Sequence, residues 1–269
     1  MTKVTLITPS FPARAAFLHR VKAHFPVGRY EWIVCGPSGV AETCREVGAL
    51  HVCSDAEIGT LRNLACEAAT GDIVVQVDDD DWQSPGRVDR QVQALTRPMP
   101  GQTQRPELAV SSWLYCLDVA RAVASRISWW DATHGYVGAS FAFWRSSWRQ
   151  HPFPDGLMED GVFSAHFHRR GTALDMRDPK LIVYIRSHGR HLPRFGGDWW
   201  RETRDRVEER RTAFHTYQDR IRHPNRPLAM SYAETDRDLA IAHEEEAATV
   251  YVRWLMGSDF ALFCSERVT

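Results

Sequence analysis

Short runs of β-branched and apolar residues alternate with helically spaced segments through the first hundred residues, and this alternation constrains the fold most. Val4 to Thr8 is one run, closed by Pro9-Ser10, and Ala13 to Phe25 then carries Phe17, Leu18, Val21 and Phe25 at helical spacing. Glu31 to Cys35 is a second run closed by Gly36-Pro37, Val40 to Val47 reads as a helix, and Ala49 to Cys53 reads as a third strand. Ile58 to Ala69 sets Leu61, Leu64, Ala65 and Ala68 on one helix face. Gly71 breaks that helix, Ile73 to Val77 is a fourth strand, and Pro85 to Leu95 is helical again. Strands this short, separated by helices, imply βαβ units and an α/β fold: a mostly parallel sheet with helices on both faces.

Further along, Glu107 to Cys116, Gly138 to Trp144 and Leu181 to Arg186 read as strands. A helix over Glu159 to Arg170 is ended by Gly171, a residue that suits helix C-termini. From about Gly189 the composition changes. Residues 186–226 hold 11 Arg against six acids, and residues 233–269 hold eight acids against three Arg. The expected organisation is an α/β domain over 1–190 and a mainly helical extension over 191–269. The net charge of -1 hides this asymmetry and argues against a chain that coats nucleic acid throughout. Six cysteines without a CxxC pair argue against a disulfide framework or a zinc knuckle. With no signal-peptide pattern and no apolar run of about 18 residues, the expected location is cytoplasmic, with peripheral membrane association open.

Val77-Asp78-Asp79-Asp80-Asp81-Trp82 follows the fourth strand directly. Adjacent carboxylates repel and raise one another's pKa, and a divalent cation relieves the repulsion. Oxygen donors suit Mg²⁺ or Mn²⁺, which use one or two carboxylates plus substrate phosphates. The carboxyl end of a strand is also where open α/β sheets bind ligands. The other reading is a solvated acidic turn that caps the helix near Pro85.

The neighbouring motifs resemble the family-two glycosyltransferases with a GT-A type fold. Arg62-Asn63 near a helix start, Ala69-Thr70-Gly71-Asp72, Asp78 to Asp81 and Pro85 follow that family's order and spacing. Ile7-Thr8-Pro9-Ser10-Phe11 is similar to its first-strand segment, which meets the nucleotide. Gly135 and Gly138-Ala139-Ser140-Phe141 to Arg145 are similar to its acceptor-side strand. Met158-Glu159-Asp160 with Arg169-Arg170-Gly171 resembles its Glu-Asp segment, and Tyr184 to His188 its closing strand. The resemblance covers about residues 3–190. After the second strand it departs: Val34-Cys35-Gly36-Pro37-Ser38 lacks the family's acidic base contact, so uridine recognition is left open or shifts to Asp55 or Glu57.

The resemblance implies a metal-dependent, inverting transfer from a nucleotide-diphosphate sugar, a UDP-sugar first, to a hydroxyl acceptor such as a glycan or glycolipid. It implies a donor site of Thr8, Pro9, Phe11, Arg14, Arg62, Asp78, Asp79 and Trp82. Asp80 is the expected ligand of Mn²⁺ or Mg²⁺, with His188 a further ligand, a phosphate contact or a surface residue. Asp160 is the expected general base, beside Glu159. Gly138, Trp129 and Trp130 are assigned to the acceptor side. The doublets Trp129-Trp130 and Trp199-Trp200 suit either sugar stacking or loop packing, and Arg186 to Asp198 either a closing segment or an exposed loop. A nucleotidyltransferase of related fold lacks support, because Pro9 to Arg14 contains no glycine to cradle a triphosphate. A non-catalytic module holding a glycan or polyanion on the Arg-rich segment is the other alternative. A homodimer and a nucleic-acid acceptor are left open, the latter without any base-reading motif.

Overall fold

The computed structural model describes residues 2–25, 28–99, 101–119, 122–128, 130–131, 135–136, 138–155, 159–186 and 246–265. The alternation seen in the sequence becomes β1 (Val4–Pro9), α1 (Leu18–His24), β2 (Glu31–Gly36), α2 (Ala41–Val47), β3 (Leu50–Cys53), α3 (Ile58–Ala68) and β4 (Ile73–Gln76). β1 lies between β2 and β4 and is parallel to both, and β3 is parallel to β2. Every residue of β1 and β4 is buried, as expected of strands covered on both faces. Side chains divide between the faces with the strand period of two. Ile7, Ile33 and Val74 meet Leu61 and Ala65 of α3, while Leu6, Ile73 and Val75 meet Val21 of α1 and Val88 and Leu95 of the later α4.

The chain then forms β5 (Trp82–Gln83), α4 (Arg87–Thr96), β6 (Leu108–Val110), β7 (Trp113–Asp118), β8 (Val123–Ser128), β9 (Trp130–Asp131), β10 (Gly135–Tyr136) and β11 (Ala142–Trp144). After these come α5 (Arg145–Gln150), α6 (Glu159–Arg169), β12 (Ala173–Asp175) and β13 (Ile182–Arg186). The main sheet has seven strands in the order β12-β6-β11-β4-β1-β2-β3, with β11 antiparallel to both of its neighbours. The mixed, mostly parallel sheet with helices on both faces agrees with the GT-A type architecture that the resemblance implies.

Two strand readings need correction. Glu107 to Cys116 is not one strand: β6 belongs to the main sheet and β7 to a second sheet, ordered β5-β13-β7-β8. The chain changes sheets at Ser111-Ser112, whose amides donate to Ser140 Oγ and Asp175 Oδ1 and so need no strand partner there. Gly138 to Trp144 is a strand only from Ala142. Gly138–Ser140 forms a 3-10 turn, because the Gly138 amide donates to Asp160 instead of to a strand.

The expected boundary near residue 190 and most of the 191–269 extension lie outside the described residues. Residues 246–256 (α7) and Ser258–Ser265 (α8) are helical. Val252, Met256, Phe260 and Phe263 pack on Trp82, Leu117, Ala124 and Val183, so these helices complete the core of the second sheet. Among the described residues no helix is long and apolar enough to cross a membrane.

α6 ends where the sequence places its stop. Gly171 has a φ of +67°, and a Cβ there would meet nothing within 4 Å. Backbone strain is therefore the whole cost of a side chain at this position. Gly171→Ala is expected to lower unfolding free energy by about 1–2 kcal/mol. Thermal unfolding should show a Tm lower by roughly 2–8 °C, and an unchanged Tm would show that the turn relaxes.

Candidate active site

The four carboxylates after β4 do not act as one group. Asp79 and Asp81 point inward and are buried. Asp79 accepts a 2.6 Å hydrogen bond from the Ser10 hydroxyl and lies 3.3 Å from the Arg14 guanidinium. Asp81 Oδ1 accepts a 2.9 Å bond from the Ile185 amide, which ties the turn to β13. Burial, reinforced by the neighbouring carboxylates, pushes Asp79 up to about 7 and Asp81 well above the usual carboxylate range. Asp78 and Asp80 keep 23% and 20% of their side chains exposed. Asp78 accepts from Gln76 Nε2 at 3.2 Å, and Asp80 accepts from Arg14.

Two arginines balance this charge from opposite sides. Arg14 follows β1 in the 3-10 turn Pro12–Phe17 and stacks over the Phe11 ring at 5.5 Å. Burial alone would lower its pKa, but Asp79, Asp80 and Asp78 together raise it. Arg87 is fully buried on α4. It donates to Gln91 Oε1 at 2.9 Å, to Gln83 Oε1, and to the Gln76 carbonyl at 2.7 Å. Burial holds it down at about 9 against the pull of Asp78 and Asp81. Sequence reasoning passed over Arg87; its signal was a charged residue beside Val88, on the face that also carries Gln91 and Leu95.

The opposite wall of the site comes from α3 and α6. Arg62, on α3, is buried and pairs with Glu159, the first residue of α6. Its other terminal nitrogen lies 3.9 Å from Asp78. Burial raises the Glu159 pKa despite this partner. Asn63 serves the scaffold: its amide donates to the Phe153 carbonyl and its oxygen accepts from the Trp148 indole, fixing α3 to the segment before α6. Asp160 is half-buried at the start of α6. Its Oδ2 accepts from the Gly138 amide at 2.8 Å and its Oδ1 from the Gly161 amide at 2.7 Å. Gly138 is glycine for want of room: a Cβ would stand 2.8 Å from Asp160 Cβ and 2.8 Å from Gln76 Nε2. A chain of contacts thus joins Asp78, Gln76, Gly138 and Asp160 at one rim of the sheet.

The remaining candidates fall elsewhere or into the frame. Thr8 and Pro9 are buried, and the Thr8 hydroxyl accepts from the Trp32 indole at 3.0 Å. Trp82 is 3% exposed and lies in the second-sheet core. Trp130 is in β9, paired with Tyr136. Asp55 and Glu57 are exposed before α3. Trp129, Met158, His188, Trp199, Trp200 and the 187–198 segment lie outside the described residues.

Among the described residues, no group of three or more His, Cys, Asp or Glu side chains forms a metal cage. The arrangement fits the other mode of holding Mg²⁺ or Mn²⁺, by one or two carboxylates with substrate oxygens completing the shell. Asp78 and Asp80 are the open pair, while the other two carboxylates of the run are taken inward.

No family model matches the chain, and no curated protein matches it. Solved structures do. A mycobacterial protein is 18% identical with a TM-score of 0.50, over 72% of this chain and 69% of its own. The mannosyltransferase PcManGT from Pyrobaculum calidifontis, in complex with GDP-Man and Mn²⁺, is 16% identical with a TM-score of 0.48, over 98% and 86%. Residues 1–349 of S. aureus TarS are 13% identical with a TM-score of 0.47, over 68% and 60%. The chain spans 60% of that TarS fragment and 37% of a longer TarS chain. At these identities the likeness is one of fold alone.

Proposed function

We propose that the protein is a metal-dependent, inverting glycosyltransferase that moves a sugar from a nucleotide-diphosphate sugar to an acceptor hydroxyl. The observation that supports this reading is the convergence of two kinds of carboxylate on one rim. The open pair Asp78 and Asp80 stands at the end of β4, and Asp160 faces the same rim from the start of α6 through Gly138 and Gln76. A nucleophilic displacement needs both: a place to hold the leaving diphosphate and a base on the opposite side for the acceptor.

Asp80, with Asp78 beside it, would hold a divalent cation and through it the diphosphate. When bound, that cation offsets the negative charge that develops as the sugar–phosphate bond breaks. Asp160 takes the proton of the acceptor hydroxyl as its oxygen attacks the anomeric carbon from the opposite face, which inverts the configuration. Each oxygen of Asp160 spends one lone pair on a backbone amide and keeps another for the proton. Arg62 and Glu159 fix the distance between the two sides and are positioning residues. Arg14 stands where it can pass from Asp80 to a diphosphate oxygen. A UDP-sugar is the first donor to test, with Asp55 and Glu57 as the acidic residues to which contact with the base would shift. A glycan or glycolipid hydroxyl is the acceptor class.

The test is a donor panel. Purified protein is mixed with individual nucleotide sugars and Mn²⁺, and slow hydrolysis and thermal shift are recorded. At least one donor should be hydrolysed in a reaction that EDTA stops. Asp80→Asn should slow it by about 10²-fold. A donor at 100 times its Kd should stabilise the fold by about 2.7 kcal/mol. Absence of both signals with every donor would overturn the reading.

A further inference from the structure

The C-terminal helix α8 reaches back to the acidic turn through one side chain. Asp259 Oδ2 accepts a 2.8 Å hydrogen bond from the Trp82 indole and lies 3.3 Å from His24 Nε2. The two rings meet edge to face, with centroids 5.7 Å apart. His24 is 9% exposed, and among the described residues its buried Nδ1 has no hydrogen-bond partner. Burial holds its pKa below the ordinary value of 6.5 against the pull of Asp259. The group that satisfies all of this is a neutral imidazole whose Nε2–H donates to Asp259, with Nδ1 as the bare nitrogen. Asp259 then accepts two N–H bonds, from two elements that do not otherwise share a carboxylate.

Those two elements directly adjoin the segments that carry the ends of the Arg14–Asp80 ion pair. Trp82 follows Asp80 by two residues, and the ladder of β5 is a short antiparallel pairing with Ile182 and Val183. His24 ends α1, which continues directly from the 3-10 turn that bears Arg14. Around Asp259 the helix is seated by Phe260 and Phe263 in the core that encloses Trp82, and by Arg20 of α1 over the Phe263 ring at 4.7 Å. Within the turn, Ser10 and Arg14 hold Asp79, Arg14 holds Asp80 and the Ile185 amide holds Asp81; Asp259 adds a tie at the residue that follows the run.

We propose that Asp259 is a positioning residue for the acidic turn: by binding Trp82 and His24 together, it fixes the exit of Asp78–Asp81 against the segment that carries Arg14. The C-terminal helix is on this account part of the site's frame, although it lies far beyond the motifs around the carboxylates. The geometric claim stands on the contacts alone, and its consequence for cation binding rests on the functional reading above.

The experiment separates the two. Hydrogen exchange is followed for residues 79–83 in the full-length protein and in Asp259→Ala, together with Mn²⁺ affinity. Exchange in 79–83 should quicken about tenfold in Asp259→Ala, while the amides of β1 and β4 keep their protection. The Kd for Mn²⁺ should rise by a similar factor. Asp259→Asn, whose carbonyl oxygen can accept both N–H bonds as Oδ2 does, should stay near wild type. Trp82→Phe removes the indole donor together with part of the ring's packing, so it should quicken exchange at least as much, and the double variant should fall short of the sum of the two single effects. Unchanged exchange at 79–83 in Asp259→Ala, or additive effects of Asp259→Ala and Trp82→Phe, overturns the proposal. Faster exchange together with a wild-type protein that binds no Mn²⁺ and no nucleotide sugar keeps the positioning role and rejects the donor reading instead.

Discussion

Asp160→Asn is expected to lower sugar transfer by about 10²–10⁴-fold while Mn²⁺ and donor binding stay near wild type. The substitution keeps the shape of the side chain and removes its capacity to take a proton. It cannot keep both backbone contacts. The Gly138 and Gly161 amides each donate to one carboxylate oxygen, and an amide side chain has only one acceptor atom. One hydrogen bond is therefore lost, with a stability cost of about 1–3 kcal/mol where the unpaired donor is buried. Bound donor should contribute the same thermal shift as in the wild type, so folding and chemistry can be read separately. The expected rate loss corresponds to about 2.7–5.4 kcal/mol in the barrier. Single-turnover transfer with saturating donor and acceptor measures it. Full turnover in Asp160→Asn would place the base elsewhere on the rim.

What the sequence could and could not disclose follows from how far each signal travels along the chain. The alternation from Val4 to Gln76 was legible because each strand is a local apolar run and each helix repeats its apolar residues locally. Gly171 was legible for the same reason, as a stop at the end of a periodic segment. The acidic run was legible as a site but not in its division of labour. Which carboxylates turn inward depends on Ser10, 69 residues from Asp79, and on Ile185, 104 residues from Asp81. No periodicity links positions so far apart. The second sheet escaped for a related reason. Its strands are drawn from residues 82–186 and its core is closed by residues 246–265, so Glu107 to Cys116 reads as one strand until the partners of Ser111 and Ser112 are known. Trp82 is assigned to the donor site beside the carboxylates, and nothing near it in the sequence signals that its indole bonds to Asp259, 177 residues away. Arg87 is the clearest case: a charge on an apolar helix face has no local explanation, and its amide and carbonyl partners come from the two ends of the acidic turn and from α4 itself.

Arg62→Met should be the most destabilising single change in the site, at about 3–5 kcal/mol, because it leaves Glu159 buried without its partner. The pair itself need not add net stability. Taking two charges out of water costs about as much as their attraction returns, so removing both is far milder than removing one. The double variant Arg62→Met with Glu159→Gln should therefore recover most of the loss, and a cycle of urea unfolding curves with unchanged slope measures the coupling. The pH dependence fixes the cause. Burial already holds Glu159 above its ordinary 4.5, and loss of Arg62 raises it further. A carboxyl whose folded pKa exceeds its unfolded pKa binds more protons when folded. Its contribution to stability therefore falls as pH rises from the unfolded value through the folded one. The gap between wild type and Arg62→Met should be widest at pH 8 and narrow towards pH 5. Arg62 also approaches Asp78 at 3.9 Å, so the variant that unfolds less readily in acid should still fail to restore transfer there, since the spacing between Asp78 and Asp160 has lost its strut. A gap of equal size at both pH values would mean that packing against the Phe153 ring, 5.7 Å from the guanidinium, and not the stranded carboxylate, accounts for the loss.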